Sequence, residues 1–217
     1  MGDMCENVVF VGGAVVELYA TDPASPPVRP TVDVDCVVQV TSREAFRRME
    51  KGLEERGFRH DTSEGAPVCR WLCDELRVDV MPTDQDILGF ANRWHAAGMA
   101  HAIQHVMDEG TEIQFLSPPF FTASKLEALR SRGGSDRRGE PDFEDVGFVL
   151  DNRSELPSEG KSARRRVRAF LVTRFETLLD SSTLREDIVS VLPPRDVSGR
   201  VEHVLTQMRE IAGQAAM

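Results

Sequence analysis

Three aspartates could do chemistry together. Asp33 and Asp35 lie in Thr31-Val-Asp33-Val-Asp35, and Asp79 lies in Leu76-Arg-Val-Asp79-Val-Met81. Side chains on a strand alternate between its faces, so Asp33 and Asp35 point the same way. Strand interiors disfavour aspartate, and two of them in a valine-rich run need a reason. If the Asp79 strand lies alongside, three carboxylates meet on one edge of a sheet. They repel one another unless a hard cation sits among them, and Mg²⁺ is the usual one. Ahead of them Val8-Val-Phe-Val11 runs into Gly12-Gly13. A glycine turn there lets backbone N–H groups approach a phosphate. Residue types and spacing point to metal-and-phosphate chemistry.

The elements that must position these groups can be read in order. Val8–Val11 is a short buried strand, and 14–19 is the helix after the glycines. Prolines between Thr21 and Pro30 forbid helix and central strand, so this stretch is a loop delivering the chain to a strand over 32–40. Thr41-Ser42 starts a helix over 44–56, with Phe46, Met49 and Leu53 on one stripe, and Gly57 stops it. Segments 68–72 and 75–81 form a hairpin across Cys73-Asp74. Residues 86–98 read as helix and 112–116 as strand. Thr122-Ala-Ser124 caps a helix carrying Lys125, Leu126, Leu129 and Arg130. A polar loop over 132–141 leads to a helix over 143–150. Amphipathic helices follow over 161–179 and 200–211. Sheet first and helices later is an α+β arrangement, a short mixed β-sheet flanked by helices with a C-terminal helical region.

Composition narrows the classes. The 217 residues are 41% apolar and 29% charged, which suits a packed core. A net charge of −10 and an isoelectric point near 5.0 oppose nonspecific nucleic-acid binding. No apolar stretch approaches the roughly 18 residues of a membrane span. Asp3 and Glu6 stand where a signal peptide carries positive charge, and Glu6 also stands where a myristoylation signal has Ser or Thr. A cytoplasmic protein without membrane or zinc is expected. Cys5, Cys36, Cys69 and Cys73 lack zinc-motif spacing and read as reduced thiols, with Cys36 turned toward a core. His101 and His105, one helical turn apart, have no third ligand at an obvious spacing. Phe90 and Trp94 lie at helical spacing and read as core. The basic run Lys161…Arg164-Arg-Arg166…Arg168 sprays around a helix axis and reads as a solvated helix start, or else as a landing site for a nucleic-acid acceptor or acidic partner.

Taken in order, these segments resemble the nucleotidyltransferase fold of the DNA polymerase β superfamily, whose signature is Gly-Gly, then Asp-x-Asp, then a third Asp on a neighbouring strand. The chain is similar in particular to the AbiEii-type nucleotidyltransferases, a group that includes toxins of bacterial toxin–antitoxin and phage-defence systems. Further segments carrying the likeness are Arg29-Pro-Thr-Val-Asp33, Val78-Asp-Val-Met-Pro-Thr83, Leu88-Gly-Phe-Ala-Asn-Arg-Trp94, Ala123-Ser-Lys-Leu-Glu-Ala128 and Asp142-Phe-Glu-Asp145. They span residues 8–150.

The resemblance implies a catalytic core over 1–118 and a helical region over 119–217. Residues 119–150 would complete the nucleotide site and 161–217 would carry the C-terminal helices. It implies transfer of a nucleoside monophosphate from an NTP, with release of pyrophosphate. Asp33 and Asp35 would hold two Mg²⁺ ions, and Asp79 would complete one of the sites or deprotonate the attacking hydroxyl. The Gly12-Gly13 backbone and Lys125 would bind the triphosphate. Arg29 would contact the triphosphate or pair with a nearby acid. Asp142 and Asp145 would hold Lys125 or help position the acceptor. Asn92-Arg93 would touch nucleotide or acceptor. The acceptor would be a tRNA end, a protein hydroxyl or a small molecule, and a cognate antitoxin would be a partner. One departure is Pro141, where related sequences commonly carry His or Lys. It keeps open a second reading, a nucleotide-binding or partner-binding protein with little catalysis.

Overall fold

The computed structural model describes residues 7–40, 42–132, 137–194 and 196–214. Asp3, Cys5, Glu6, Thr41 and positions 133–136 of the expected polar loop lie outside these residues. The chain forms two compact units. One holds the chain up to Val15 together with Pro30–Ser117, the other Val16–Arg29 together with Pro118 onward.

The first unit is built on β1 (Val8–Val11), β2 (Asp33–Val38), β3 (Arg59–His60), β4 (Arg70–Cys73), β5 (Leu76–Pro82), β6 (Ile103–Val106) and β7 (Glu112–Phe115). They make one seven-stranded sheet in the order β3-β4-β5-β2-β1-β7-β6. The pairs β2–β5 and β1–β7 are parallel and the others antiparallel, so the sheet is mixed. Alternation gives the central strands two characters. Val34, Cys36, Val38, Val78 and Val80 pack with Trp71, Phe46 and Leu53 in one core. Phe46 and Leu53 come from α1 (Arg43–Glu54), whose first turn is capped by the Ser42 side chain accepting from the Ala45 N–H. Burial of a side chain such as Leu53 contributes about 1.5–3 kcal/mol. The acidic residues therefore occupy the face that this core does not use.

Several expectations change here. The hairpin turn is Asp74-Glu75, one residue later than expected, because Cys73 pairs with Leu76. The helix expected over 86–98 is two short pieces, α2 (Gln85–Leu88) and α3 (His95–Met99). Gly89, with φ +86°, ends the first in the left-handed conformation. His105 lies on β6 and His101 in the turn before it, so they do not share a helix. Trp94 is core, whereas Phe90 is 41% exposed. Cys36, Cys69 and Cys73 are thiols, and Cys36 is fully buried as expected.

The second unit is helical: α4 (Pro118–Arg132), α5 (Pro141–Asn152), α6 (Leu156–Ser162), α7 (Arg165–Leu179), α8 (Leu184–Val191) and α9 (Val197–Ala212). Phe121, Leu126, Phe143, Leu150, Leu171, Phe175 and Met208 are buried among them. Thr122 and Ser124 do not cap α4, which starts at Pro118, where proline's missing N–H costs nothing. Their hydroxyls donate instead to the carbonyls of Pro118 and Phe121, both at 2.8 Å. Lys125 thus sits mid-helix. The long helix expected over 161–179 is broken where Ala163 turns extended, so the basic run is divided between α6 and the start of α7. A 3₁₀ helix, Gly13–Tyr19, leads into the Val16–Arg29 segment. Tyr19 lies with its ring 4.3 Å from that of Phe121. The N–H groups of Thr21 and Asp22 donate to the Asn152 carbonyl at 2.9 and 3.2 Å. Among the described residues no helix is long and apolar enough to cross a membrane.

Asp74 holds φ +53° at the first turn position, a conformation glycine adopts at no steric cost. Asp74→Gly should stabilise the protein by about 0.5–1 kcal/mol, read as a higher urea midpoint at unchanged slope.

Candidate functional site

The parallel register sets Asp35 beside Asp79 and Asp33 beside Arg77. The antiparallel register sets Arg70 beside Asp79. Directly paired residues project to one face, so Arg70, Asp79 and Asp35 form a row across β4, β5 and β2, with Asp33 two residues along. The side chain of Arg70 spans this row. Its Nε donates to Asp79 Oδ1 at 2.8 Å, and its Nη2 donates to Asp79 Oδ2 at 2.8 Å and Asp33 Oδ2 at 2.9 Å. The side chains of Arg70 and Asp79 are only 17% and 10% exposed, against 33% for Asp33. A planar guanidinium serves two carboxylates in this way, which a lysine ammonium matches poorly. The hydrogen bond to Asp79 is the main reason the Arg70 pKa rises above its ordinary value. Beside the row, Cys69 is pushed up to about 11, by burial first and then by the Asp79 carboxylate.

Gly12 closes the other end. It follows Val11, which pairs with Asp35. It has φ +75°, and a Cβ there would lie 2.0 Å from Asp35 Oδ2. Only glycine fits against that carboxylate. Gly13 then opens the 3₁₀ helix.

The donor set of this face suits Mg²⁺ in chemistry, since hard carboxylate oxygens on adjacent strands are what such an ion takes. Its present arrangement is different. Among the described residues no group of three His, Cys, Asp or Glu is placed to hold an ion, and Arg70 is the cation between Asp33 and Asp79.

The remaining candidate residues gather in the second unit. Lys125 reaches from α4 to Asp142 Oδ1 at 3.0 Å and Asp145 Oδ2 at 2.6 Å, both near the start of α5. Arg29 pairs with Asp145 at 3.2 Å and with Glu144 at 3.4 Å. Arg132 pairs with Asp142 and Glu140. Lys125, Asp142 and Asp145 are all buried, so each charge depends on its partners. Burial pushes the Glu144 carboxyl up, with Arg29 pulling it down and Asp145 raising it again. Of the roles left open by sequence, holding Lys125 is what Asp142 and Asp145 do here, and pairing with acids is what Arg29 does. Pro141 occupies the first turn of α5, where its fixed φ suits a helix start. In the first unit, the Arg93 guanidinium lies 4.9 Å from the Trp94 ring centre.

Sequence reasoning named neither Arg70 nor Arg132. For Arg70 a signal existed, since counting back through the hairpin from Asp79 places it opposite. The one-residue error in the turn hid this by placing the wrong residue there. For Arg132 the chain gives no spacing cue.

Removing Lys125 leaves two buried carboxylates short of a cation. Lys125→Met should cost about 3–5 kcal/mol in urea unfolding. The control Arg48→Met removes an exposed pair with Glu44 and should stay within about 0.5 kcal/mol. Comparison of the chain with protein-family models gave no match, and comparison with curated proteins gave none either.

Proposed function

We propose that the chain is a nucleotidyltransferase of the DNA polymerase β type, transferring a nucleoside monophosphate from an NTP to a hydroxyl acceptor. The observation that carries this reading is the row of Asp33, Asp35 and Asp79 on one face of β2 and β5, with side-chain-free Gly12 against Asp35. Asp33, Asp35 and Asp79 would hold Mg²⁺, which when bound stabilises the entering and leaving oxygens of an in-line displacement. The Gly12-Gly13 backbone would receive phosphate oxygens. Asp79 would orient the acceptor hydroxyl and take its proton as the new P–O bond forms and the bond to pyrophosphate breaks. A triphosphate role for Lys125 and Arg29 rests on the resemblance alone. The acceptor classes are an RNA end, a protein Ser, Thr or Tyr, and a small molecule. A toxin role with a cognate antitoxin would rest on the resemblance alone.

A second reading is a nucleotide-binding or partner-binding protein with little turnover. It is favoured by Arg70, which engages two of the three carboxylates, and by Pro141 in the place of a family His or Lys.

Incubation with each labelled NTP and Mg²⁺, followed by addition of cell lysate, tests both. Label should move to one acceptor class, and Asp33→Ala/Asp35→Ala should reduce transfer by more than about 100-fold, beyond the usual loss at outer-shell positions. Absence of transfer by the wild type, together with unchanged NTP and metal binding by the double variant, would sink the enzyme reading.

A further inference from the structure

We propose that Arg130, Arg137 and Arg174 form a binding site in the helical unit for a compact phosphate-type oxyanion, inorganic or carried on a small molecule. The inference does not depend on nucleotide transfer. Arg174 carries it. This residue lies on α7 and is half-buried, and its Nε is closed off from solvent with no hydrogen-bond acceptor among the described residues. A charged donor left in that state costs free energy. The helix dipole does not account for it, because Arg174 stands more than a turn before the end of α7 at Leu179 and the dipole acts only within the last turn.

The surrounding charges sharpen the problem. Helix α4 packs against α7, and Arg130 stands in the last turn of α4. The acid beside them is Glu127, whose two oxygens accept from Arg130 at 2.7 and 3.3 Å. Arg137 approaches just beyond the end of α7, where its Nη1 donates to Asp187 Oδ2 at 2.8 Å and to Ser181 Oγ at 3.4 Å. Thr183 donates to that same Asp187 oxygen at 3.0 Å. Each acid is thus bonded by another arginine, and three guanidinium charges face two carboxylates. Burial, and then the Arg130 charge, hold the Arg174 pKa below its ordinary value, with Glu127 raising it and Arg137 lowering it further. A local positive excess of this kind is a departure in a chain of net charge −10. Guanidinium groups present paired N–H donors that match phosphate oxygens. An oxyanion beside Arg174 would satisfy its orphaned donor and offset the repulsion from Arg130 and Arg137. Entry is open on the Arg130 side, where that side chain is 53% exposed.

The experiment is calorimetric titration of the full chain at low ionic strength with inorganic phosphate and with glycerol phosphate, a simple monoester. Sodium chloride at matched ionic strength is the control. The wild type should bind phosphate saturably, and Asp33→Ala/Asp35→Ala should bind it equally. Arg174→Met should weaken binding about tenfold or more, the scale of a lost charge-assisted hydrogen bond. Arg130→Gln should weaken it in the same direction. Without phosphate, the urea midpoint of Arg174→Met should be no lower than that of wild type, because the variant removes an uncompensated charge. With phosphate, only the wild type should gain. Equal affinity for the monoester would assign the site to a phosphate carried on a small molecule, and preference for the free ion would assign it to inorganic phosphate. If Arg174→Met fails to fold, Arg130→Gln alters an exposed side chain and carries the binding comparison. No binding by wild type, binding unchanged in both arginine variants, or an equal effect of sodium chloride overturns the proposal. So does a fall in the phosphate-free midpoint of Arg174→Met with its phosphate response intact, the result expected of a purely structural arginine.

Discussion

Like charges on neighbouring strands repel at a spacing of about 5 Å, and a sheet keeps them there only if an opposite charge is built into the same face. Arg70 is that charge in the first unit. Its place follows from strand parity. Residues 33, 35 and 79 fall on the face opposite the Val34, Cys36, Val78 and Val80 side chains, and that apolar set is fixed by burial against α1. A slip of one residue in β5 would bury Asp79 and expose Val78 and Val80. The core therefore enforces the acidic row, and the tight Asp74-Glu75 turn enforces where Arg70 meets it. The acidic row is thus a by-product of hydrophobic register.

The second unit solves a related problem with other means. Its buried acids stand three residues apart on one helix turn, and a lysine rather than an arginine lies between them. An ammonium is a compact point charge and can sit between two carboxylates without matching a plane. Arg29 and Arg132 then approach the two acids from other parts of the chain. Both units thus bury or half-bury charges in networks, in which losing one partner strands the others.

How much of this was legible depended on range. Asp33, Asp35 and Asp79 could be found because valine alternation fixes their face without knowledge of neighbours. The α1 stripe of Phe46 and Leu53 was equally local. The segment before β6 was misread because Phe90 and Trp94 mimic helical spacing, while Gly89 ends the first turn through a backbone angle that no side-chain pattern reveals. Thr122 and Ser124 look like caps, yet Pro118 had already begun the helix. Ala163 breaks a continuous amphipathic pattern for no reason visible in residue type. Arg70, Arg29 and Arg132 act through partners on other elements, and only three-dimensional pairing reveals such roles.

The Val16–Arg29 segment makes neither unit contiguous in the chain. During synthesis this stretch emerges early, but Phe121 and Asn152, against which Tyr19 and Thr21 settle, emerge about a hundred residues later. The helical unit cannot close on its first-made piece until its own helices exist, whereas the sheet can pair while that piece waits. Tyr19 has no Phe121 ring to pack on until that later stretch has been made. A circularly permuted gene beginning near residue 16 would not remove the wait, because the later helices must still be translated before the segment has anything to pack against.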